Sequence, residues 1–519
     1  MDTRLTLLLF SRVFCFGVIT LLGMGFPGLG TFAKHPNVLM ICVDDLNDWV
    51  GCLGGHPQVK TPHIDRLAER GILFENAHCA APVCNPSRLA TMSGLNPTTT
   101  GVYGNSSYWP FNHPNLLTIP RQFKMHGYRV EGGGKVFHHT PGHNPPDQWH
   151  YFFKQRWDDP YHRYPAGSLK SLAGWPNPVV RWPEGFPLNG LENVRVPVER
   201  PPGNPREFDW GPLNRGLMET GDGRTVAWAD QFLDVEHTEP FFLAVGIFRP
   251  HLPWYAPKPF FDMYPLDEFS MPLLKEDDLN DLPKMGQEMA VRSKPDFDYL
   301  KSVGRYREAV QAYLASISMA DALVGELLKS LDASPYADNT IIVLWSDHGW
   351  HLGEKEHWHK YTLWERSTRV PFVVVAPGKT TPGQRCSRPV GLIDVFPTLN
   401  ELCDFDPVES LEGVSLVPLL KNPDLEWDRP ALTTHGPGNY AARSQNYRYI
   451  RYRDGGEELY DHRNDPNEWN NIARDPQFAD LKASLSKAMP ANARSQIESN
   501  NEIEFDPWEF TFRPKKVEE

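Results

Sequence analysis

Short apolar runs alternate with segments of helical periodicity from residue 36 onward. Residues 38–43 and 340–345 are continuous apolar runs, as expected of strands that are covered on both faces of a sheet. Further elements are predicted as strands at 128–131, 240–246 and 370–376, and as amphipathic helices at 224–235 and 306–331. Strands that alternate with helices predict an α/β fold with a mostly parallel sheet flanked by helices.

The pattern changes towards the C-terminus, where polar residues and prolines at 422–429 indicate a boundary. Beyond it, residues 447–452 alternate between polar and apolar side chains, which is typical of a half-buried strand. We therefore expect a large domain at 34–425 and a smaller one at 426–519. Between Trp149 and Gly223 the periodicity is weak, so this insertion is expected either to shape a binding site or to be a packing loop.

The first 33 residues have the pattern of a secretory signal. Arg4 and Arg12 supply positive charge, residues 13–26 are apolar, and small residues at 27–33 lead to an expected cleavage after Ala33. An uncleaved membrane anchor is the competing interpretation. No other stretch is long and apolar enough to span a membrane, so a secreted or periplasmic protein with no membrane span after cleavage is expected.

Composition excludes one class of partner. The chain has 52 basic and 65 acidic residues, a net charge of −13, and no basic tail or patch, so nucleic acid is not an expected partner. The seven cysteines have no diagnostic spacing. Once Cys15 in the signal and Cys84 are set aside, an odd number remains, so we expect no disulfide framework and at most one bridge.

One segment combines a cysteine, a helix start and a cation. Residues 81–94 read Ala-Pro-Val-Cys-Asn-Pro-Ser-Arg-Leu-Ala-Thr-Met-Ser-Gly. Asn85 is expected to cap a helix that ends at Gly94. The thiol of Cys84 then faces the positive end of the helix dipole, close to Arg88, which indicates an anion site at a thiol position. The alternative is a structural cysteine ahead of an ordinary helix.

Acidic pairs follow two of the predicted strands. Asp44 and Asp45 end the first strand, and Asp347 and His348 follow the strand at 340–345. Because the carboxyl ends of parallel strands meet at one edge of a sheet, the three carboxylates are expected to converge. A hard divalent cation relieves their mutual repulsion, and Ca²⁺ is expected, with Mg²⁺ as the alternative. The competing interpretations are a solvated turn and a helix cap.

Cationic side chains able to hold an anion follow other predicted strands. They are Lys135 and His138 after the glycines at 132–134, His251 in the loop that follows residues 240–246, and Lys360 at the end of a histidine-rich segment. The remaining basic residues of these segments are expected at the surface or behind the site, with Lys355 as a solvated charge; they are His139, His351, Lys355, His357 and His359.

These motifs resemble those of the type I sulfatases. The match consists of Cys84, Pro86, Ser87 and Arg88, with Ser-Gly at 93–94 where the family commonly has Thr-Gly. The resemblance spans nearly the whole chain after the signal. It implies an alkaline-phosphatase-like fold for the catalytic domain and an α+β C-terminal subdomain in which a small antiparallel sheet precedes a helix.

The resemblance also implies a reaction. In this family a maturation enzyme oxidises the cysteine to formylglycine, whose hydrate attacks the sulfur of a sulfate ester. On this sequence the implied metal ligands are Asp44, Asp45, the modified Cys84, Asp347 and His348. The implied catalytic residues are Cys84, Arg88, Lys135, His138, His251 and Lys360. His251 matches the acid for the leaving oxygen, and Lys360 matches the lysine that bridges sulfate and leaving group.

A finer resemblance is to iduronate-2-sulfatases. It rests on the offset between Lys135 and His138, on the Arg-Pro-His loop at 249–251, and on the Ser-Asp-His-Gly-Trp run at 346–350. It implies removal of the 2-O-sulfate from the terminal hexuronate of a sulfated polysaccharide. The uronate carboxylate then needs a second cationic patch, which Lys360 or an arginine of the insertion after Trp149 is expected to supply.

Trp350 follows the second acidic pair and is expected either to pack against the sugar ring or to lie in the core.

Two other functions of the protein remain as alternatives. One is a phosphonate or phosphodiester hydrolase of the same superfamily, and the other is a non-catalytic glycan-binding protein.

Overall fold

The computed structural model describes residues 35–140, 142–153, 188–189, 191, 209–499, 501–506 and 510–515. The predicted signal at 1–33 and most of the insertion after Trp149 lie outside the described residues. Within the described ranges, no helix has both the length and the apolar character that a membrane crossing requires.

The strands of the described residues are β1 (Asn37–Val43), β2 (Ile72–Phe74), β3 (Ala77–His78), β4 (Arg129–Gly134), β5 (Tyr151–Phe153), β6 (Trp210–Leu213), β7 (Phe241–Ile247), β8 (Trp254–Pro257), β9 (Thr340–Ser346), β10 (His351–Leu352), β11 (Trp358–His359), β12 (Phe372–Val375), β13 (Gln384–Cys386), β14 (Val390–Gly391), β15 (Ala431–Thr434), β16 (Tyr440–Arg443), β17 (Tyr447–Arg451), β18 (Glu457–Asp461), β19 (Ile503–Asp506) and β20 (Thr511–Pro514). The α-helices are α1 (Pro62–Arg70), α2 (Cys84–Ser93), α3 (Pro97–Thr100), α4 (Trp109–Asn112), α5 (Ile119–Met125), α6 (Gly221–Leu233), α7 (Lys258–Asp262), α8 (Lys284–Val291), α9 (Lys294–Ser302), α10 (Tyr306–Ala333), α11 (Glu365–Thr368), α12 (Val395–Leu402), α13 (Val417–Lys421) and α14 (Ala479–Ser486).

Eight strands form the central sheet, in the order β13-β2-β12-β9-β1-β7-β4-β5. β1 pairs in parallel with both β7 and β9, and β4 pairs in parallel with β7. β12 runs antiparallel to its neighbours β9 and β2. The predicted α/β fold with a mostly parallel sheet is therefore confirmed, and its middle strand is the apolar run that was expected to be buried on both faces.

The side chains of β1 alternate between two cores. Leu39, Ile41 and Val43 pack on one face of the sheet, together with side chains of α1, α6 and α10. Val38 and Met40 point to the other face, where α2, α5 and α12 contribute. A continuous apolar strand thus serves both helical layers, which is why its sequence shows no alternation.

A smaller antiparallel sheet lies near the C-terminus. Its four strands have the order β15-β16-β17-β18, and α14 follows them in the chain. This is the sheet and helix that the family resemblance implied. The six cysteines of the described residues are free thiols; they are Cys42, Cys52, Cys79, Cys84, Cys386 and Cys403.

Candidate active site

Cys84 lies at the start of α2 and is fully buried. Our prediction that Asn85 caps this helix is wrong: Val83 is the N-cap, and the Asn85 amide instead donates to the carbonyl oxygens of Gly104 and Ser107, at 2.9 and 3.0 Å. The helix ends at Gly94, in the left-handed conformation, as expected. The sulfur therefore belongs to the first turn, where the helix dipole favours negative charge.

Three basic side chains surround the sulfur of Cys84. Its Sγ lies 3.0 Å from Lys360 Nζ, 3.3 Å from His348 Nε2 and 3.7 Å from Lys135 Nζ. Burial alone would raise the pKa of this thiol, but the charges of the two lysines and of His348 outweigh burial and hold the pKa well below its usual value. The first turn of α2 is therefore a position for a negatively charged group.

Three carboxylates meet beside this position. Asp44 and Asp45 follow β1, and Asp347 follows β9; because these strands are parallel neighbours, their carboxyl ends meet at one edge of the sheet. All three side chains are fully buried. One ligating atom from each member of the cluster lies within 4.8 Å of those of all the others; the members are Asp44, Asp45, Cys84, Asp347 and His348.

Buried cations balance these carboxylates. Arg88 Nη2 lies 3.1 Å from Asp44 Oδ1, and its Nε lies 2.9 Å from Asp347 Oδ2. Lys135 pairs with Asp44, and Lys360 Nζ lies 2.7 Å from Asp45 Oδ1. The site therefore holds opposite charges in close contact, an arrangement that is stable in a protein interior only when every ion is paired.

The donor set fits a divalent cation. Asp45 Oδ2 is buried and has no hydrogen-bond donor among the described residues, although such an oxygen normally has one. Asp45 also has a left-handed backbone, with φ of 58°, and its carbonyl accepts a hydrogen bond of 2.8 Å from the Tyr313 hydroxyl. His348 Nδ1 lies 3.0 Å from the Gly349 carbonyl, so Nε2 faces the cluster and offers a lone pair to a metal ion when the ring is neutral. Carboxylate oxygens of this kind are the ligands that Ca²⁺ and Mg²⁺ prefer.

The other predicted basic residues lie beside the same cluster. Lys135 directly follows β4, and His138 comes three residues later in the chain; both are buried. Burial lowers the pKa of His138 to about 3, although the nearby Cys84 acts in the opposite direction, so the ring is neutral. His251, in the loop between β7 and β8, directs Nδ1 at the Leu252 carbonyl and places Nε2 3.8 Å from Asp45 Oδ2. The fold thus brings together all ten residues that the sequence singled out for the site.

Comparison with known proteins decides the family. Residues 36–405 match the family described as Sulfatase, and residues 353–495 match the family described as N-sulphoglucosamine sulphohydrolase, C-terminal. The chain belongs to the sulfatase family. It is therefore a sulfuric ester hydrolase.

Individual relatives cover most of this sulfatase. A sulfatase from Formosa agariphila is 36% identical over 495 residues, which cover 93% of this chain and 90% of that protein. Human iduronate 2-sulfatase is 33% identical over 451 residues, covering 78% and 76%. Among solved structures, a phosphonate monoester hydrolase from Silicibacter pomeroyi has a TM-score of 0.69 at 21% identity, covering 88% of this chain and 94% of that one, and shows the shared fold.

The segment that leads to Lys360 differs from its prediction. Lys355, expected to be a solvated charge, is buried and its Nζ lies 2.6 Å from Asp278 Oδ1. His351 and His357 are fully buried, so they lie behind the site, which is one of the two places expected for them. The prediction for Lys355 is wrong because a polar residue in a loop usually indicates exposure, whereas Asp278 and the Glu468 carbonyl, from distant parts of the chain, pair with its charge.

Trp350 lies in the core of this sulfatase. Its side chain is 2% exposed, and its ring centroid lies 5.9 Å from that of Trp254. Of the two roles expected for this tryptophan, the structure therefore bears out the packing role.

The sequence did not identify Tyr313 and Ser87 as residues of the site, although both form hydrogen bonds there. The Tyr313 hydroxyl, from the middle of α10, accepts from Asn47 N at 3.1 Å and donates to the Asp45 carbonyl. The Ser87 hydroxyl donates to the carbonyl oxygen of Asp347. Ser87 belongs to the cysteine motif and could have been included, but nothing in the local pattern of a long amphipathic helix separates Tyr313 from its apolar neighbours.

Proposed function

We propose that this sulfatase removes the 2-O-sulfate from the terminal hexuronate of a sulfated polysaccharide. The observation that carries the sulfatase chemistry is the position of Cys84, where Lys135 and Lys360 approach the sulfur in the first turn of α2. The choice of sugar is supported by 33% identity with human iduronate 2-sulfatase and by the spacing of Lys135 and His138.

The nucleophile is proposed to come from Cys84. Oxidation of this cysteine to formylglycine by a maturation enzyme would supply, as the hydrated aldehyde, an oxygen nucleophile for the sulfur of the ester. Arg88 keeps the start of α2 fixed against the strand ends, because it bonds Asp44, Asp347 and the Val136 carbonyl, the last at 3.0 Å.

One divalent cation, Ca²⁺ or Mg²⁺, is proposed to bind at the strand ends. Asp44, Asp45, Asp347 and His348 would hold it together with the group at position 84. Such an ion would supply positive charge for the oxygens of the sulfate and for the nucleophile. Its identity is proposed from the carboxylate donors alone.

The remaining side chains have distinct proposed roles. Lys135 and Lys360 bind sulfate oxygens and stabilise the charge that develops on them. His138, neutral because of its burial, can accept a proton from the nucleophile. His251 can protonate the oxygen of the leaving sugar, since its Nδ1 is occupied by a carbonyl and its Nε2 faces the site.

A secreted or periplasmic location also remains part of the proposal. It rests on the signal pattern of residues 1–33, which lie outside the described residues, and it suits a polysaccharide substrate.

The test is a panel of defined substrates assayed with matured wild-type protein and with Cys84→Ala. The panel contains a 2-O-sulfated hexuronate disaccharide, a 6-O-sulfated hexosamine, an aryl sulfate and a phosphonate monoester. The proposal expects the fastest sulfate release from the uronate. Faster release from the hexosamine or the aryl sulfate would overturn the sugar assignment.

Two outcomes of the same panel favour the other candidate functions. Faster turnover of the phosphonate would favour the phosphonate hydrolase. Saccharide binding without any turnover, after maturation of Cys84 is verified, would favour a non-catalytic glycan-binding protein.

A further inference from the structure

An arginine without an acidic partner lies beside the Lys360 segment. Arg292 follows α8 directly and is exposed, and its guanidinium carbon lies 4.7 Å from the ring centroid of Tyr361. This cation–π contact is its interaction within the described part of the chain, where it forms no hydrogen bond or ion pair. Lys294, two residues further on, differs: its Nζ lies 2.8 Å from Glu356 and 3.2 Å from Asp298.

The contact connects Arg292 to the active site through one residue. Tyr361 follows Lys360, whose Nζ lies 3.0 Å from Cys84 Sγ. Burial raises the pKa of the Tyr361 phenol, Lys360 lowers it, and the charges of Cys84 and Asp45 raise it further. The Tyr361 side chain is therefore close enough to the buried cluster to be affected by its charges, and its ring also contacts Arg292.

A buried histidine fixes this arrangement. His357 Nδ1 lies 2.8 Å from the Ala290 carbonyl, in the last turn of α8, and its Nε2 lies 2.7 Å from the Lys360 carbonyl. The same ring therefore contacts the helix that carries Arg292 and the segment that carries Lys360. Tyr361 itself has a left-handed backbone, with φ of 78°, a conformation that persists only where surrounding contacts fix it.

Unsatisfied polar groups lie next to Arg292. The His435 ring, which follows β15, has its centroid 6.3 Å from that of Tyr361, and its Nδ1 is buried without a hydrogen-bond partner among the described residues. Burial and the charge of Arg292 lower the pKa of His435 to about 3, so the ring is neutral and one ring nitrogen can donate. The Tyr361 hydroxyl likewise forms no hydrogen bond within the described ranges.

The chemistry of these groups matches an oxyanion. Stacking on Tyr361 occupies the face of the guanidinium and leaves its N–H edge available for a bidentate bond to a carboxylate or a sulfate. We propose that Arg292, with Tyr361 and His435, binds a second anionic group on the sugar that leaves, either a carboxylate or a further sulfate. This proposal rests on the proposed function in taking the scissile sulfate to bind at Cys84.

The test compares Arg292→Gln with the matched control Lys284→Gln. Lys284 begins the same helix, its side chain is 83% exposed, and the substitution removes the same charge. Because Arg292→Gln removes a hydrogen bond to a charged group, it should raise KM roughly tenfold or more for a 2-O-sulfated uronate disaccharide. It should leave KM for an aryl sulfate, which has one anion, unchanged. Lys284→Gln should change neither.

Two further substrates separate the sources of the anion. One is the disaccharide with its carboxyl group reduced, and the other is the reduced disaccharide with a second sulfate on the adjacent hexosamine. If Arg292→Gln raises KM tenfold for the unreduced disaccharide but not for the reduced one, the bound group is the carboxylate. If the rise in KM is seen again with the reduced disaccharide that carries a second sulfate, Arg292 also binds that sulfate.

A binding measurement decides the inference independently of turnover. Calorimetry with the desulfated uronate disaccharide should give a Kd about tenfold weaker for Arg292→Gln than for wild type and for Lys284→Gln. If wild type hydrolyses no sulfate ester, the proposed function fails and this measurement still tests the subsite. Equal Kd values, no binding to wild type, or an equal loss of activity on the aryl sulfate would overturn the inference.

Discussion

The side chain of Cys84 lies among charges that favour a negatively charged group at this position. Burial favours the neutral thiol, whereas Lys135, Lys360 and His348 favour the thiolate and lower the pKa. Burial and the charge of Asp347 instead raise the pKa of Cys79, which is also fully buried. Two buried cysteines a few residues apart therefore have opposite electrostatic surroundings, and the difference comes from residues distant in sequence.

Replacing Cys84 by alanine should abolish turnover while the protein still folds. Loss of the nucleophile should lower kcat at least about 10³-fold, as for other covalent catalysts. Cys79→Ala is the matched control, since it removes a buried thiol whose Sγ contacts the Ser367 carbonyl at 3.6 Å, and it should keep its kcat. Sulfate release by both variants, each produced together with the maturation enzyme, measures the effect. Near-wild-type activity of Cys84→Ala would rule out the nucleophile.

Removal of the divalent cation should lower both activity and thermal stability. A ligand that binds only the folded state, present at 100 times its Kd, stabilises that state by about 2.7 kcal/mol. The orphaned Oδ2 of Asp45 identifies the place where this binding is expected. Calorimetric Tm before and after exhaustive chelation measures the change, and Ca²⁺ or Mg²⁺ should restore it.

Asp45→Asn is the control for this experiment. Its Tm should respond little to chelation, because the carboxylate that binds the ion is gone. A wild-type protein with full activity and unchanged Tm after chelation, and no metal by elemental analysis, would contradict the proposed site.

At the scale of elements, one helix is attached to the ends of two strands by a single side chain. Arg88 extends from α2 to Asp44 after β1 and to Asp347 after β9, and its side chain is fully buried. The pairing holds its guanidinium pKa above the usual value despite burial. Removing one partner of a buried ion pair costs more free energy than the bond itself contributes, because the remaining charge is left unpaired in the interior.

Arg88→Ala should therefore lower the free energy of unfolding by about 3–5 kcal/mol. Arg70→Ala, on α1, is the control: the Arg70–Asp332 pair is solvent-exposed, and such pairs contribute about 0–1 kcal/mol. Urea denaturation of both variants in the presence of metal gives the comparison. Equal losses for the two variants would contradict the role assigned to Arg88.

The elements that carry the site were predictable because their signals are local. Apolar runs predict β1 and β9, and the strand-end rule predicts that Asp45 and Asp347 lie together. The segment before Lys360 was not predictable in the same way. Lys355 is buried against Asp278 and the Glu468 carbonyl, and a pairing between distant residues leaves no mark on the local pattern.

At the scale of the whole molecule, an ion network attaches the C-terminal sheet to the segment that follows Lys360. Arg448 of β17 bonds Glu365 of α11, and its Nε lies 2.7 Å from Glu468 Oε1. Burial would raise the pKa of both glutamates, but the nearby arginines and His462 lower it, for Glu365 well below its usual value. The sequence predicts a boundary at residues 422–429, but nothing in its local pattern indicates that Arg448, Glu365 and Glu468 form ion pairs between the C-terminal sheet and the segment that follows Lys360.

Arg448→Met should destabilise the protein in a pH-dependent way. Carboxylates with a lowered folded-state pKa stabilise the fold above the unfolded-state value of 4.5 and lose that contribution as the pH falls through their folded-state pKa. The variant should therefore be less stable than wild type by about 3–5 kcal/mol near neutral pH, and the difference should shrink below about pH 4.5.

Urea denaturation at about pH 7 and about pH 3.5 measures this difference. Arg463→Met, which removes an exposed arginine paired with Asp461, is the control and should leave the unfolding midpoint nearly unchanged at both pH values. If the free energies of unfolding of wild type and Arg448→Met differ by the same amount at both pH values, the ion pairs of Arg448 do not provide the proposed stabilisation.

Mass spectrometry of the tryptic peptide from Gly71 to Arg88, taken from an active preparation, tests directly whether Cys84 supplies the nucleophile. We expect formylglycine at Cys84, in a fraction that rises and falls with sulfatase activity across preparations with and without the maturation enzyme. A fully active preparation in which every Cys84 is an unmodified cysteine would contradict it.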